Sequence, residues 1–152
     1  MSPAEPLTIV TLRHILMGIL VLGLVGTGTE LMLLGHIDGW QQLVPVALIG
    51  LGLLILGWYG ITRRAQGLRA LRWTMSLFVA SGFIGTVLHY RGNVEFALET
   101  YRTLAGWELF REAMTGATPA LSPGTMIELG LVGLAYTYRH PMLTRDAEDS
   151  PF

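Results

Sequence analysis

The sequence contains no cysteine, which excludes disulfides, thiolate nucleophiles, iron–sulfur clusters and zinc–thiolate sites. It also contains no lysine, so all 10 of its basic residues are arginine. We attribute this bias to the codon composition of a bacterial genome rather than to function. Charge is scarce too, since only 14% of the residues are charged, against about a quarter in an average soluble protein. With 51% apolar residues, the chain is predicted to reside in a lipid bilayer.

Motifs for common catalytic and nucleotide-binding sites are missing. The sequence has no GxSxG elbow, no phosphate-binding P-loop, no HExxH pair and no dinucleotide-binding fingerprint. A net charge of −1 without a basic stripe gives no support for nucleic acid as a partner. The sequence therefore favours a protein that is not an enzyme.

Four apolar runs supply the roughly 20 residues that a helix needs to cross a hydrocarbon core about 30 Å thick. Backbone amides find no water inside lipid, so runs of this length are expected to be helical. We predict an all-α, polytopic membrane four-helix bundle that forms a single domain over residues 1–152. The predicted spans are approximately residues 12–35, 41–62, 70–90 and 122–140.

The arginines predict the orientation of this bundle. Seven of them fall near the N-terminus, in the link between the second and third spans, or near the C-terminus: Arg13, Arg63, Arg64, Arg69, Arg72, Arg139 and Arg145. The other two links hold three arginines among a majority of acids. By the positive-inside rule, both termini are expected in the cytoplasm, with the protein in a bacterial inner membrane.

The link between the third and fourth spans is amphipathic over residues 93–116. Its polar arc shifts at Gly106, which predicts two short helices hinged at that glycine. Their apolar faces are expected to lie on the bilayer surface or to cover the bundle as an extracytoplasmic cap. A lid over a binding site is the more specific interpretation of the same pattern.

Two spans share a pattern of glycines, threonine and an ionisable residue, GLVGTGTE from Gly23 to Glu30 and GFIGTVLH from Gly82 to His89. Residues seven apart on a helix point in directions about 20° apart, so the glycine and the ionisable group share a face. We therefore expect Glu30 and His89 to point into the bundle, with Glu128 at a similar depth. The shared pattern is also compatible with a duplicated helical hairpin.

Three interpretations of the ionisable residues stay open. Glu30, His89 and Glu128, with His36 from the adjacent link, form a candidate site for a divalent metal, or else a hydrogen-bonded cluster that fixes helix register. Haem is a further alternative, held at two levels of the bundle by His36 with His89 at the outer side and by His14 with His140 at the inner side. Absence of any cofactor is the simplest expectation. Histidine and arginine at the cytoplasmic boundary predict instead a site for anionic lipid headgroups, formed by Arg13, His14, Arg63, Arg64, Arg139 and His140.

The stretch HYRGNVEFALE from His89 and the stretch GATPALSPGTMIELGLVGLAYTYRHP from Gly116 to Pro141 resemble a group of small bacterial four-span membrane proteins. The group has no known activity, so the resemblance implies an architecture and a bacterial source, and no site residue.

These observations lead to one function and one alternative. The first is a non-enzymatic accessory or scaffold subunit that binds lipid or a larger membrane complex, with other membrane subunits or a second copy as possible partners. The alternative is a metal- or redox-cofactor protein that uses the Glu/His cluster near the outer leaflet. A transporter is disfavoured, because no charge is predicted near the bilayer midplane to bind or couple an ion.

Overall fold

The computed structural model describes residues 6–35, 39–116 and 118–148, the last four of them as backbone only. No strand occurs within these ranges, so the prediction of an all-α fold is confirmed. The helices are α1 (Leu7–Leu33), α2 (Trp40–Thr62), α3 (Ala65–Thr100), α4 (Gly106–Met114), α5 (Gly124–Thr137) and α6 (Pro141–Glu148).

Three of these helices are long and apolar enough to cross a membrane. They have 27, 23 and 36 residues in α1, α2 and α3 respectively. At 1.5 Å per residue their lengths are about 40, 35 and 54 Å, against a hydrocarbon core of about 30 Å. The first three predicted spans are therefore confirmed as helices of sufficient length and composition.

The fourth predicted span, residues 122–140, contains a shorter helix than expected. α5 has 14 residues and a length of about 21 Å, so by itself it is too short to cross a membrane as the other three helices could. Residues 120–123 form turns, with the Gly124 amide donating to the Leu121 carbonyl oxygen at 2.8 Å. At the other end Tyr138 leaves helical geometry with ψ 124°. Turns thus replace helix at both ends of the predicted span.

The boundary predicted between the third span and the amphipathic link is wrong. α3 continues without a break through Arg91, Gly92 and Asn93 to Thr100, so the first of the two predicted short helices is an extension of α3. The second is present as α4, and Gly106 at its start has φ +56°, a left-handed conformation that glycine adopts without steric penalty. The expected break at Gly106 is confirmed.

α5 packs between α1 and α3, and α2 packs against the same two helices. α5 runs antiparallel to α3, since Gly82 lies beside Pro123 whereas Met75 lies beside Gly133. The buried core lies along these contacts and includes Leu20, Leu24, Ile49, Leu56, Leu71, Met75, Phe78 and Leu129. The remaining sides of α1, α2 and α3 expose large apolar side chains such as Leu22 (75% exposed) and Leu54 (73%), a surface suited to lipid rather than water.

Glycines bring α3 and α5 into backbone contact. A Cβ atom on Gly82 would lie 2.8 Å from the Pro123 carbonyl oxygen and 2.9 Å from the Ile127 nitrogen. A Cβ on Gly130 would lie 2.7 Å from the Met75 carbonyl oxygen. In both cases the obstacle is backbone, which cannot rotate aside as a side chain can. Close approach of this kind lets helices gain van der Waals contact in lipid, where no hydrophobic effect drives them together.

We therefore expect Gly130→Ala to lower the free energy of unfolding by about 1–3 kcal/mol, because the added methyl group must push α3 and α5 apart. Gly26→Ala is the matched control, since Gly26 is also helical but has no atom within 4 Å of its Cβ position. The control should be neutral or stabilising by up to about 1 kcal/mol. Reversible unfolding in bicelles measures both variants, and equal effects would contradict the backbone contact.

Candidate functional site

Four chain segments meet at one end of the helices, which we call the arginine end. They are the start of α1, the turn between α2 and α3, the end of α5 and the start of α6. Contacts between the Tyr59 and Tyr136 hydroxyls (3.5 Å) and between Arg13 and the end of α5 bring them together. The arginines at this end with described side chains are Arg13, Arg63, Arg64, Arg69, Arg72 and Arg139.

Two of these arginines bind the C-terminal carbonyls of α5. Arg13, from α1, donates from Nη1 to the carbonyl oxygens of Tyr136 (2.8 Å) and Tyr138 (3.3 Å), and from Nη2 to that of Arg139 (3.1 Å). Arg72, from α3, donates from Nη2 to the Thr137 carbonyl oxygen at 2.7 Å. The last carbonyls of a helix have no partners within the helix and carry a partial negative charge. The two guanidinium groups satisfy four successive carbonyls with charge-assisted hydrogen bonds.

His140 is buried directly after this helix end. Its ring lies 5.6 Å from that of Tyr136 and 6.4 Å from that of Tyr59, and its Nδ1 accepts a hydrogen bond from the Met142 amide at 3.3 Å. Met142 also lies 3.7 Å from the Tyr59 hydroxyl. His140 therefore packs the start of α6 against α2 and α5. Arg13 and His140, both predicted as headgroup ligands, have structural contacts inside the protein.

The other predicted headgroup residues lie on the surface. His14, Arg63, Arg64 and Arg139 are exposed. Arg63 and Arg139 lie where helices α2 and α5 give way to turns, and both have left-handed backbones with φ 50° and 44°. The Arg63 guanidinium lies 5.6 Å from the Tyr59 ring centre, and that of Arg139 lies 5.8 Å from Tyr138.

These surface arginines can bind phosphate. A guanidinium presents a planar fork of N–H donors that matches phosphate oxygens. Exposed aromatic side chains lie at the same end of the protein, with Trp73 74% and Tyr138 66% exposed. Tryptophan and tyrosine favour the headgroup level of a bilayer. The nearest acids along the chain are Glu5, Asp146, Glu148 and Asp149, whose side chains lie outside the described part.

At the opposite end, the predicted inward placement of two acids is wrong. Glu30 and Glu128 are exposed, and only His89 is half-buried, with its Nδ1 3.3 Å from the Pro119 carbonyl oxygen. Gly23 does face α5 at Leu129. Glu30 lies about 10 Å further along α1, however, beyond the level at which α5 begins. At the level of Glu30, α5 therefore does not cover α1, and the carboxylate is exposed.

No group of three or more His, Asp or Glu residues that could hold a metal occurs in residues 6–35, 39–116 and 118–148. His36 lies outside these ranges, so the predicted metal set is described only for Glu30, His89 and Glu128. His36 also belongs to one haem pair. In the other pair His14 is exposed while His140 is buried. Neither cofactor alternative gains support from these positions.

Asn93 is a structural residue that the sequence did not reveal. Its side chain is buried, and its Nδ2 donates to the carbonyl oxygens of Ala113 (2.8 Å) and Thr118 (2.6 Å). Its Oδ1 accepts from the Thr118 hydroxyl at 2.6 Å. One amide thus ties α4 and the following link to α3. The signal was present, since Asn93 and Ala97 are one helical turn apart and share a buried face of α3. The predicted boundary between the third span and the link, near residues 90–93, concealed it.

No protein-family model matches this chain, and no curated protein or solved structure shows significant similarity to it. The resemblance to small bacterial four-span membrane proteins therefore stays a prediction from the sequence.

Replacement of Arg72 tests the carbonyl contacts at the end of α5. Arg72→Gln should lower the free energy of unfolding by about 1 kcal/mol, because the Thr137 carbonyl oxygen loses a charged donor in a part-buried contact while the Arg72 side chain itself is exposed. Arg64→Gln removes the same charge from an exposed side chain at the same end and should change stability by less than about 0.5 kcal/mol. Unfolding in bicelles measures the stability of both variants. Equal losses of stability would mean that the effect comes from net charge and would contradict a specific role for the Arg72 hydrogen bond.

Proposed function

We propose that the protein is a non-enzymatic accessory protein of a bacterial inner membrane and that it binds anionic lipid headgroups at its arginine end. The exposed set of Arg63, Arg64 and Arg139 beside Trp73 and Tyr138 carries this proposal. A scaffold or subunit role in a larger complex is compatible with the same architecture.

In this proposal α5 completes a four-helix membrane bundle. Together with the turns on either side it extends from about residue 119 to residue 138, close to the length that a bilayer requires. Non-helical backbone at membrane depth is tolerated only where protein covers it or where its polar groups are satisfied. Both ends of α5 meet this condition through the guanidinium groups of Arg13 and Arg72 and through the contact between His89 and Pro119.

The distribution of charge supports a cytoplasmic arginine end. Six arginines with described side chains lie there, whereas the opposite end has Arg91, Arg102 and Arg111 with the acids Glu30, Glu95, Glu99, Glu108, Glu112 and Glu128. Under the positive-inside rule, the start of α1 and the end of α5 face the cytoplasm. The extension of α3 and the helix α4 then form an extracytoplasmic cap.

Lipid binding follows from the same orientation. The inner leaflet of a bacterial membrane offers phosphate groups at the depth where the helices end. Arg63 and Arg139 are held by turns and by their neighbouring aromatic rings, so little side-chain freedom is lost when they bind a headgroup. Each arginine near an anionic surface contributes about 1 kcal/mol.

The test is the preference of the arginine end for anionic over zwitterionic lipid. Trp40 and Trp107 are replaced by phenylalanine, so that the remaining Trp58 and Trp73 report on this end. Quenching of their fluorescence by brominated phosphatidylglycerol and by brominated phosphatidylcholine gives a relative binding constant. The variant with Arg63→Gln, Arg64→Gln and Arg139→Gln should lose most of a several-fold preference for the anionic lipid.

The matched control carries Arg91→Gln, Arg102→Gln and Arg111→Gln, which change the net charge equally at the opposite end. This control should keep the preference. If both triple variants lose the preference for anionic lipid equally, the preference depends only on net charge, which would contradict the proposed site. A reporter fused after residue 152 that is active on the periplasmic side of bacterial cells would contradict the orientation.

A further inference from the structure

α4 has an apolar side that the protein does not cover. Ala113, which is buried, and Leu109 face α3. Trp107 and Phe110 lie to one side of this contact, with their rings stacked at 5.2 Å and with 74% and 42% of their surfaces exposed. At 100° per residue, Glu108, Arg111 and Glu112 lie on the remaining side. The helix therefore has an inner face, an uncovered aromatic face and a charged face.

The position of the aromatic face along α3 is fixed. The Phe110 ring lies 6.1 Å from the ring of Tyr90, the last residue of the predicted third span. His89 at the same level contacts Pro119, where the chain returns towards α5. The stacked rings of Trp107 and Phe110 thus lie near the level at which the hydrophobic part of the bundle ends.

The aromatic face also continues a lipid-facing surface. Phe83 and Val87 on α3 are exposed, and with Tyr90 they follow one another at intervals of four and three residues on one side of the helix. This stripe leads to Phe110. An uncovered face that continues an apolar, lipid-facing stripe is suited to lipid. The two glutamates on the neighbouring charged face disfavour binding of an anionic partner.

α4 is held against α3 by hydrogen bonds from the buried side chain of Asn93. Asn93 donates to the Ala113 carbonyl oxygen at the end of α4 and to the Thr118 carbonyl oxygen beyond it. The aromatic face is therefore presented as a rigid surface, and little conformational entropy is lost when it enters the boundary between headgroups and acyl chains.

We infer that Trp107 and Phe110, together with Tyr90, anchor α4 in the outer-leaflet interface of the bilayer. The inference rests on the proposed membrane orientation. Its partner is lipid rather than a second protein, and it makes α4 an interfacial helix that lies on the membrane instead of a lid that opens away from it. Aromatic side chains with a polar edge favour this depth, and the charged face of α4 then points to water.

A set of single-tryptophan proteins tests the anchor. In the first, Trp40, Trp58 and Trp73 are replaced by phenylalanine, so that Trp107 alone fluoresces. The protein is reconstituted into phosphatidylcholine vesicles whose acyl chains are brominated near the headgroup. We expect strong quenching of Trp107 by the brominated lipid and weak quenching by aqueous iodide.

Two reference proteins lack all four native tryptophans. One carries Leu54→Trp, on the exposed side of α2, and reports on membrane insertion itself. The other carries Glu108→Trp, on the charged face of α4, and should be quenched by iodide rather than by brominated lipid. The inference is upheld when Trp107 behaves like the tryptophan at position 54 and unlike the one at position 108.

The outcomes separate the inference from the proposed function. If the tryptophan at position 54 is quenched by brominated lipid while Trp107 responds only to iodide, the anchor is overturned and the membrane proposal stands. If neither responds to brominated lipid, both are overturned. If Trp107 is shielded from lipid and iodide alike, its face is covered by protein, which also overturns the lipid anchor.

Discussion

The backbone contact between α3 and α5 is the interaction on which the rest of the structure depends. α5 has only 14 residues, and its neighbours reach it because glycines at positions 82 and 130 remove the side chains that would hold the helices apart. A short helix has few side chains with which to gain contact area, so close approach compensates for its length. Without that contact α5 would be held mainly by its packing against α1 and by the hydrogen bonds from Arg13.

The polar groups at the two ends of α5 complete this arrangement. Arg13 and Arg72 satisfy its C-terminal carbonyls, while Asn93 and His89 hold the chain that leads into its N-terminus. The same division organises the proposed function. Arg13 and Arg72 stabilise the bundle through hydrogen bonds to α5, and the exposed arginines at the same end are the ones proposed to bind lipid. Only the tertiary structure separates the arginines of this cluster that bind α5 from those that lie on the surface.

The sequence predicted the parts of the fold that follow from local chemistry. Long apolar runs identified α1, α2 and α3, and the shift of the polar arc located the break at Gly106. Two predictions that depended on tertiary partners were wrong. The third span does not end near residue 90, since α3 continues to Thr100 and the Asn93 amide binds carbonyl oxygens of α4 and the following link. Glu30 is exposed, because α5 does not reach the level of Glu30 on α1. The predicted headgroup residues divide in the same way into residues with contacts inside the protein and residues on the surface. Side-chain type alone cannot distinguish Arg13, which binds α5, from Arg63, which is exposed.

A disulfide between α3 and α5 measures the central contact most directly, because the natural chain contains no cysteine. The Cβ position of Gly133 lies 3.3 Å from the Cβ of Met75, close to the roughly 3.5–4.5 Å that a disulfide requires. The protein with Met75→Cys and Gly133→Cys, oxidised in membranes and then denatured, should show no thiol reactive towards a maleimide. The pair Met75→Cys with Gly26→Cys should keep both thiols. Two free thiols in the first protein after oxidation would contradict the packing of α5 against α3.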